Sequence, residues 1–264
     1  MIRSGPDRSG SEPAAALITG ASSGIGAAFA RKLAALGYDL ALVARRADRL
    51  AALAQELQQA HAVHVEVLPA DLTDANDLAA VAGRLAKLPA LALLINNAGF
   101  GGEGRFAQSD ISLQMDMIRL HVAASVSLTH AALPGMIARG RGGVINVASL
   151  AGFVALPGAV NYGATKAYLI AFSRALQLEL IRTGVRVQAL CPGFIHTEFH
   201  ARGSDGLSAR LPKFMWMSAK TVVEASLRGL ARGQTVCIPG WGNRILKLLG
   251  SNRLAELILP YIIR

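Results

Sequence analysis

Short apolar runs alternate with amphipathic stretches along almost the whole chain. Seven runs, at residues 14–19, 39–44, 63–68, 91–95, 143–148, 185–190 and 235–238, are rich in Ala, Val, Ile and Leu and predict strands. Between them, apolar positions recur with helical spacing at 24–36, 48–60, 74–87, 109–138, 162–182 and 218–232. Strands that are apolar on both faces, alternating with helices, imply a parallel sheet covered on both sides. The expected fold class is α/β: one doubly wound domain with a seven-stranded parallel sheet flanked by helices. No repeat or linker interrupts the alternation.

The ends depart from this pattern. Residues 1–12 are polar and Gly/Ser-rich and read as a loose extension. Residues 13–240 form the expected domain. Residues 241–264 are apolar with scattered positive charge, suited to a membrane surface, a partner subunit or the cover of a cleft. Two long uncharged stretches, 13–30 and 142–165, resemble a signal core and a membrane span in composition alone. Both contain clustered Gly, Ser or Asn, so each reads better as a buried strand followed by a turn or loop. The chain is therefore expected to be cytoplasmic, with membrane association through 241–264 as an option.

Composition adds two limits. Hydrophobic residues make up 52% of 264, which excludes general disorder. The net charge of +10 favours anionic partners such as nucleotide phosphates. No run of five basic residues occurs, so nucleic acid is not expected. The two cysteines, Cys191 and Cys237, are too few for a disulfide framework and suit a reducing compartment.

Candidate chemistry begins after the first strand. Thr19-Gly20-Ala21-Ser22-Ser23-Gly24-Ile25-Gly26 links that strand to the first helix. Gly20 permits a tight turn, while Gly24 and Gly26 let backbone approach a pyrophosphate at the helix N-terminus. This is the turn of a Rossmann-type dinucleotide fold. The second strand ends in Ala44-Arg45-Arg46. An NAD-preferring fold carries Asp or Glu there, whereas guanidinium groups suit a 2′-phosphate, so NADP(H) is expected over NAD(H).

Further along, Ser149 precedes Tyr162 by thirteen residues, and Lys166 follows one helical turn later. A phenol and an amine four apart share a helix face. The ammonium is expected to lower the phenol pKa, so that the phenol exchanges a proton near neutral pH.

Five motifs together resemble the short-chain dehydrogenase/reductase family over about residues 14–240. They are the glycine turn, Asp71, Asn96-Asn97-Ala98-Gly99, Ser149 with Tyr162 and Lys166, and Cys191-Pro192-Gly193 leading to Thr197. The resemblance implies an oxidoreductase in which Tyr162 is the acid or base, Ser149 binds the substrate oxygen, and Lys166 holds the nicotinamide ribose. It places Asp71 and Leu72 against the adenine, and Asn97, with Ala98 and Gly99, beneath the adenosine ribose. Pro192, Gly193, Ile195 and Thr197 would close over the nicotinamide. It further implies a small-molecule substrate and a homodimer or homotetramer. The family usually carries Asn in the helix before the serine strand, as the fourth member of a proton relay. Here His121 stands at that position, either as a relay group or as a structural one.

The remaining features are plainer. His61 and His64, three apart, and His196 and His200, flanking Glu198, lack metal-ligand spacing, so no metal is expected. A substrate lid is expected at about 196–217, with Phe199, Leu207, Phe214 and Trp216 as apolar lining. With Phe100, Phe153 and Leu156 near the mouth, an apolar carbonyl or secondary alcohol is the expected substrate, although Arg105 and Arg202 keep a charged one open. The alternative is a non-catalytic NADP-binding regulator or scaffold of the same fold.

Overall fold

The computed structural model describes residues 13–88, 90–101, 104–195 and 216–250. Seven strands form one parallel sheet: β1 (Ala15–Thr19), β2 (Asp39–Ala44), β3 (Val65–Pro69), β4 (Leu91–Asn96), β5 (Gly142–Val147), β6 (Val185–Leu190) and β7 (Val236–Cys237). Their order is β3-β2-β1-β4-β5-β6-β7. Helices α1 (Gly24–Ala34), α2 (Ala47–Ala60), α3 (Ala75–Ala86), α4 (Ile111–Ile118), α5 (Ala124–Ala138), α6 (Val160–Glu179), α7 (Ala219–Ala231) and α8 (Trp241–Gly250) complete the described chain.

The period-two geometry of strands divides each apolar run between two cores. Ile18 and Leu42 pack with Phe29 and Leu33 of α1 and Val222 of α7. Their neighbours Leu17 and Val43 pack on the other face with Val81 of α3, Leu128 of α5 and Val187. All of β1 is buried, as both covered faces require. The strand order reverses between β1 and β4, and an open α/β sheet forms its ligand crevice at such a point, beyond the strand C-termini.

Three expectations shift. The third strand begins at Val65, leaving His61 and His64 outside it; the His64 N–H is held by Asp39 Oδ1 at 2.7 Å. It ends on Pro69, which an edge strand tolerates because one side needs no ladder donor. The long helix expected at 109–138 runs from Ile111 to Ala138, with a π-helical segment, Arg119–Ala123, inserted between α4 and α5 and His121 at its centre. The tail, given no fixed element from sequence, contains α8. Residues 1–12 and 251–264 lie outside the described residues.

Candidate active site

Four loops leave the C-terminal ends of β1, β4, β5 and β6 and converge. Ser149 follows β5 in extended conformation and starts a 3-10 turn, Leu150–Phe153, its Oγ accepting from Ala151 N–H at 3.2 Å. Helix α6 begins at Val160, so Tyr162 and Lys166 lie one turn apart near its N-terminus. Ser149 and Tyr162 are hydrogen-bonded. Lys166 Nζ donates to the Val147 carbonyl at 2.9 Å and stands 5.6 Å from the Tyr162 ring centroid. The structure thus brings Ser149, Tyr162 and Lys166 together.

The electrostatics differ from the sequence expectation. Burial pushes the Tyr162 phenol up, and the Ser149 hydrogen bond only partly offsets this. Burial also pushes Lys166 down to about 8. Desolvation prevails over the expected lowering of the phenol by the ammonium. At pH 7 Tyr162 keeps its proton, as a donor should, and Lys166 remains mostly charged.

His121 also lies in this group, 1% exposed. Its Nε2 accepts from Phe100 N–H at 3.1 Å, and its Nδ1 is 2.9 Å from Thr165 Oγ1. Its ring meets Tyr162 edge-on, with centroids 5.9 Å apart. Burial first, then the Lys166 charge, holds the imidazole well below its ordinary pKa.

The nucleotide side is built around the glycine turn. Gly20 and Gly24 adopt φ of +64° and +56°, which L side chains rarely adopt. A Cβ on Gly26 would overlap the Gly20 carbonyl, so α1 approaches the turn as closely as backbone allows. Ser23 caps α1 without a side-chain bond to the helix, leaving first-turn amides to an anion. Its hydroxyl, like that of Ser22, instead accepts from Arg46 Nη2 at 2.9 Å. Asn97 Nδ2 donates to the Thr19 and Gly20 carbonyls at 2.9 and 3.1 Å, and Ala98 N–H donates to Thr19 Oγ1. Gly99 has no room for a side chain beside His121.

Beyond the turn, Arg45 Nη1 lies 3.6 Å from Asp71 Oδ2. Burial raises the Asp71 carboxyl, but the Thr73 N–H and hydroxyl together with Arg45 hold it below its ordinary pKa. Leu72 is buried beside it. Two guanidinium groups and an uncapped helix end therefore face the same edge, with Ala44 in place of an acid. This donor set fits a phosphorylated dinucleotide.

After β6, the Pro192 carbonyl accepts from Leu150 N–H at 3.0 Å, tying this loop to the Ser149 turn. Ile195 pairs with Met217. Thr197, His196, His200, Arg202 and most of the expected lid lie outside the described residues. A narrow cleft next to Tyr162 is lined by Phe106, Gln114, Met117, Val160 and Asn161.

Sequence reasoning missed several supports. Asn243 of α8, 4% exposed, occupies the space where Gly193 would carry a Cβ, and Lys247 lies 5.0 Å from the Phe153 ring centroid. Thr165, Asn146 and the role of Asn96 were also unassigned; Asn96 Nδ2 donates to Asn146 Oδ1 at 2.8 Å inside the core. A polar Asn146 inside an apolar strand was the available signal.

Comparison with known proteins agrees with this geometry. The short chain dehydrogenase pattern matches residues 14–207. Sulfoacetaldehyde reductase of Chromohalobacter salexigens is 44% identical over 184 residues, covering 69% of this chain and 72% of its own. A short-chain dehydrogenase from Sphingobium yanoikuyae, solved in complex with NADPH, matches with a TM-score of 0.82 at 39% identity, over 92% of this chain and 95% of its own. The bulky-bulky ketone specific alcohol dehydrogenase from Comamonas testosteroni matches with a TM-score of 0.79 at 35% identity, over 96% of both chains. With the family pattern spanning most of the domain, the chain belongs to the short-chain dehydrogenase/reductase family of oxidoreductases.

Proposed function

We propose that the protein is an NADP(H)-dependent oxidoreductase that interconverts a carbonyl and a secondary alcohol, acts on an apolar substrate, and uses Tyr162 as its acid and base. The observation that carries the reading is the buried Tyr162 phenol, hydrogen-bonded to Ser149 and beside Lys166, at the crevice where the glycine turn also opens. NADPH, when bound, supplies the hydride that reaches the carbonyl carbon. Tyr162 gives its proton to the oxygen as negative charge develops there. The Ser149 hydroxyl donates a hydrogen bond to the same oxygen and steadies that charge. Lys166 stabilises the phenolate left behind. In the oxidative direction the phenolate takes the alcohol proton.

Arg45 and Arg46 support NADP(H), as does the NADPH complex of the Sphingobium relative. Asp71, Leu72, Asn97, Pro192, Gly193, Ile195 and Thr197 would line the rest of the dinucleotide site. The exposed Phe106 ring beside the cleft supports an apolar substrate, as does the bulky-bulky ketone specificity named for the Comamonas enzyme.

A panel of carbonyls and alcohols with NADP(H) and NAD(H), read at the nicotinamide absorbance, tests this. The expected outcome is NADPH-dependent turnover favouring apolar ketones or aldehydes over charged ones. NADPH binding without turnover of any panel member would favour the scaffold alternative. Arg45→Ala is expected to raise the NADPH KM by roughly tenfold, the cost of a lost charge-assisted bond, and to spare NADH. Equal loss with both cofactors would remove Arg45 from 2′-phosphate recognition.

A further inference from the structure

The structure assigns His121 as a positioning residue: a neutral imidazole, protonated on Nδ1, that clamps the turn after β4 to the catalytic helix. The inference rests on Tyr162 and Lys166 being the proton-side pair, and extends that reading to how they are held.

One proton placement satisfies every bond at the ring. Phe100 N–H is a backbone donor, so Nε2 must accept and carries no proton. In a neutral ring the proton is then on Nδ1. Its neighbour Thr165 Oγ1 donates its own hydrogen to the Tyr162 carbonyl at 2.9 Å, which leaves the Thr165 lone pairs to accept from Nδ1–H. The chain of bonds runs Phe100 N–H to His121, His121 to Thr165, Thr165 to Tyr162, each with a single direction.

The surroundings oppose an ionised ring. A second proton on Nε2 would break the Phe100 bond. It would also add positive charge where Lys166 already supplies it; among the described residues, Lys166 and Tyr162 on α6 are the titratable groups facing the ring. Burial acts in the same direction. His121 therefore does not pass protons by ionising, and the Thr165 hydroxyl proton is committed to a carbonyl. The relay option raised by the sequence does not run through this imidazole.

What the ring does is mechanical. A Cβ on residue 99 would come 2.7 Å from Nε2 and 3.1 Å from Cδ2, so Gly99 exists in a form that lets the imidazole seat. The π-helical segment provides the turn of backbone that carries His121 into this space. The clamp joins two sides. One is the Asn97 turn, which holds the glycine loop through Thr19 and Gly20. The other is α6, which carries Tyr162 and Lys166. Its length sets the spacing between the glycine loop and Tyr162.

The test combines variants with spectroscopy. His121→Asn keeps a donor for Thr165 and loses the Phe100 contact, His121→Gln reaches Phe100 and loses Thr165, and His121→Leu loses both. The expected kcat losses are about tenfold for Asn and Gln and about a hundredfold for Leu. NADPH affinity should stay within about threefold, and the pH–rate profile between 6 and 8 should keep the wild-type shape in every variant. In the wild type, ring-nitrogen NMR should show one Nδ1–H tautomer that does not titrate from pH 5.5 to 8. This last measurement stands even where a variant fails to fold. An Nε2–H tautomer, an imidazolium in that range, an altered profile, or full kcat in His121→Leu would overturn the inference. Full activity in Tyr162→Phe, assayed alongside, would instead strike the functional reading on which it rests.

Discussion

At the scale of single residues, the site contains charges that water would favour and burial does not. Lys166 is 5% exposed, and its folded-state pKa of about 8 lies below the ordinary 10.5. Between those values the unfolded chain holds more protons, so this group's contribution to stability rises with pH across that window. Below about pH 8 the buried ammonium costs on the order of 3 kcal/mol. Lys166→Met removes the charge and preserves the stem. It is therefore expected to unfold at higher denaturant than the wild type at pH 7, with the advantage gone above about pH 10.5, and to turn over at least ~100-fold more slowly. Denaturant melts at the two pH values decide it; a variant less stable at pH 7 would mean that the Val147 bond satisfies the ammonium better than its burial implies. His121 follows the same sign at lower pH. Its folded pKa is depressed, so its contribution to stability is present above about pH 6.5 and is lost as pH falls below that value.

At the scale of elements, buried amides hold the catalytic helix. Asn96 Nδ2 bonds Asn146 Oδ1, and Asn146 Nδ2 donates to Ser173 Oγ on α6 at 2.9 Å. Asn146→Ala removes both bonds, while Asn96 Nδ2 keeps Thr129 Oγ1 and Ser173 Oγ keeps the Leu169 carbonyl, and is expected to cost about 1 kcal/mol with a lower Tm. Unchanged thermal melts would show that the network has a water to replace it. The strands and most helices were legible in the sequence because their signals are local: apolar runs, glycine turns, helical spacing. The glycine turn, Ser149, Tyr162 and Lys166 were legible for the same reason. The π-helical segment was not, since residues 109–138 keep a continuous apolar character and the segment coincides with a tertiary contact, the seating of His121 against Gly99. The phenol pKa was misjudged because sequence shows the ammonium and hides the burial. Asn243 escaped notice because its contact with Gly193 spans fifty residues.

At the scale of the whole molecule, apolar side chains remain on the outside of neighbouring helices. Ile111 and Leu113 on α4, and Tyr168 and Leu178 on α6, are exposed, and the two helices pack together. A homo-oligomer through this face is proposed, and Leu178→Glu with Ile111→Glu is expected to shift a sedimentation profile to monomer; an unshifted profile would place the contact elsewhere. On α8, Trp241, Ile245 and Leu248 are exposed at i, i+4 and i+7, beside Arg244. Cutting the chain at Gly240 would also remove Asn243 from the site, so membrane association is better tested with Trp241→Ser and Leu248→Ser in the full chain. Reduced pelleting with anionic vesicles is expected if the stripe inserts, and equal pelleting rejects it. The central claim is that this sheet end pairs a hydride site with a phenolic proton donor, and Tyr162→Phe tests it most directly. NADPH binding by fluorescence titration should be unchanged, while NADPH-dependent carbonyl reduction falls by about 10²–10⁴-fold. Carbonyl reduction at the wild-type rate in that variant would contradict the account.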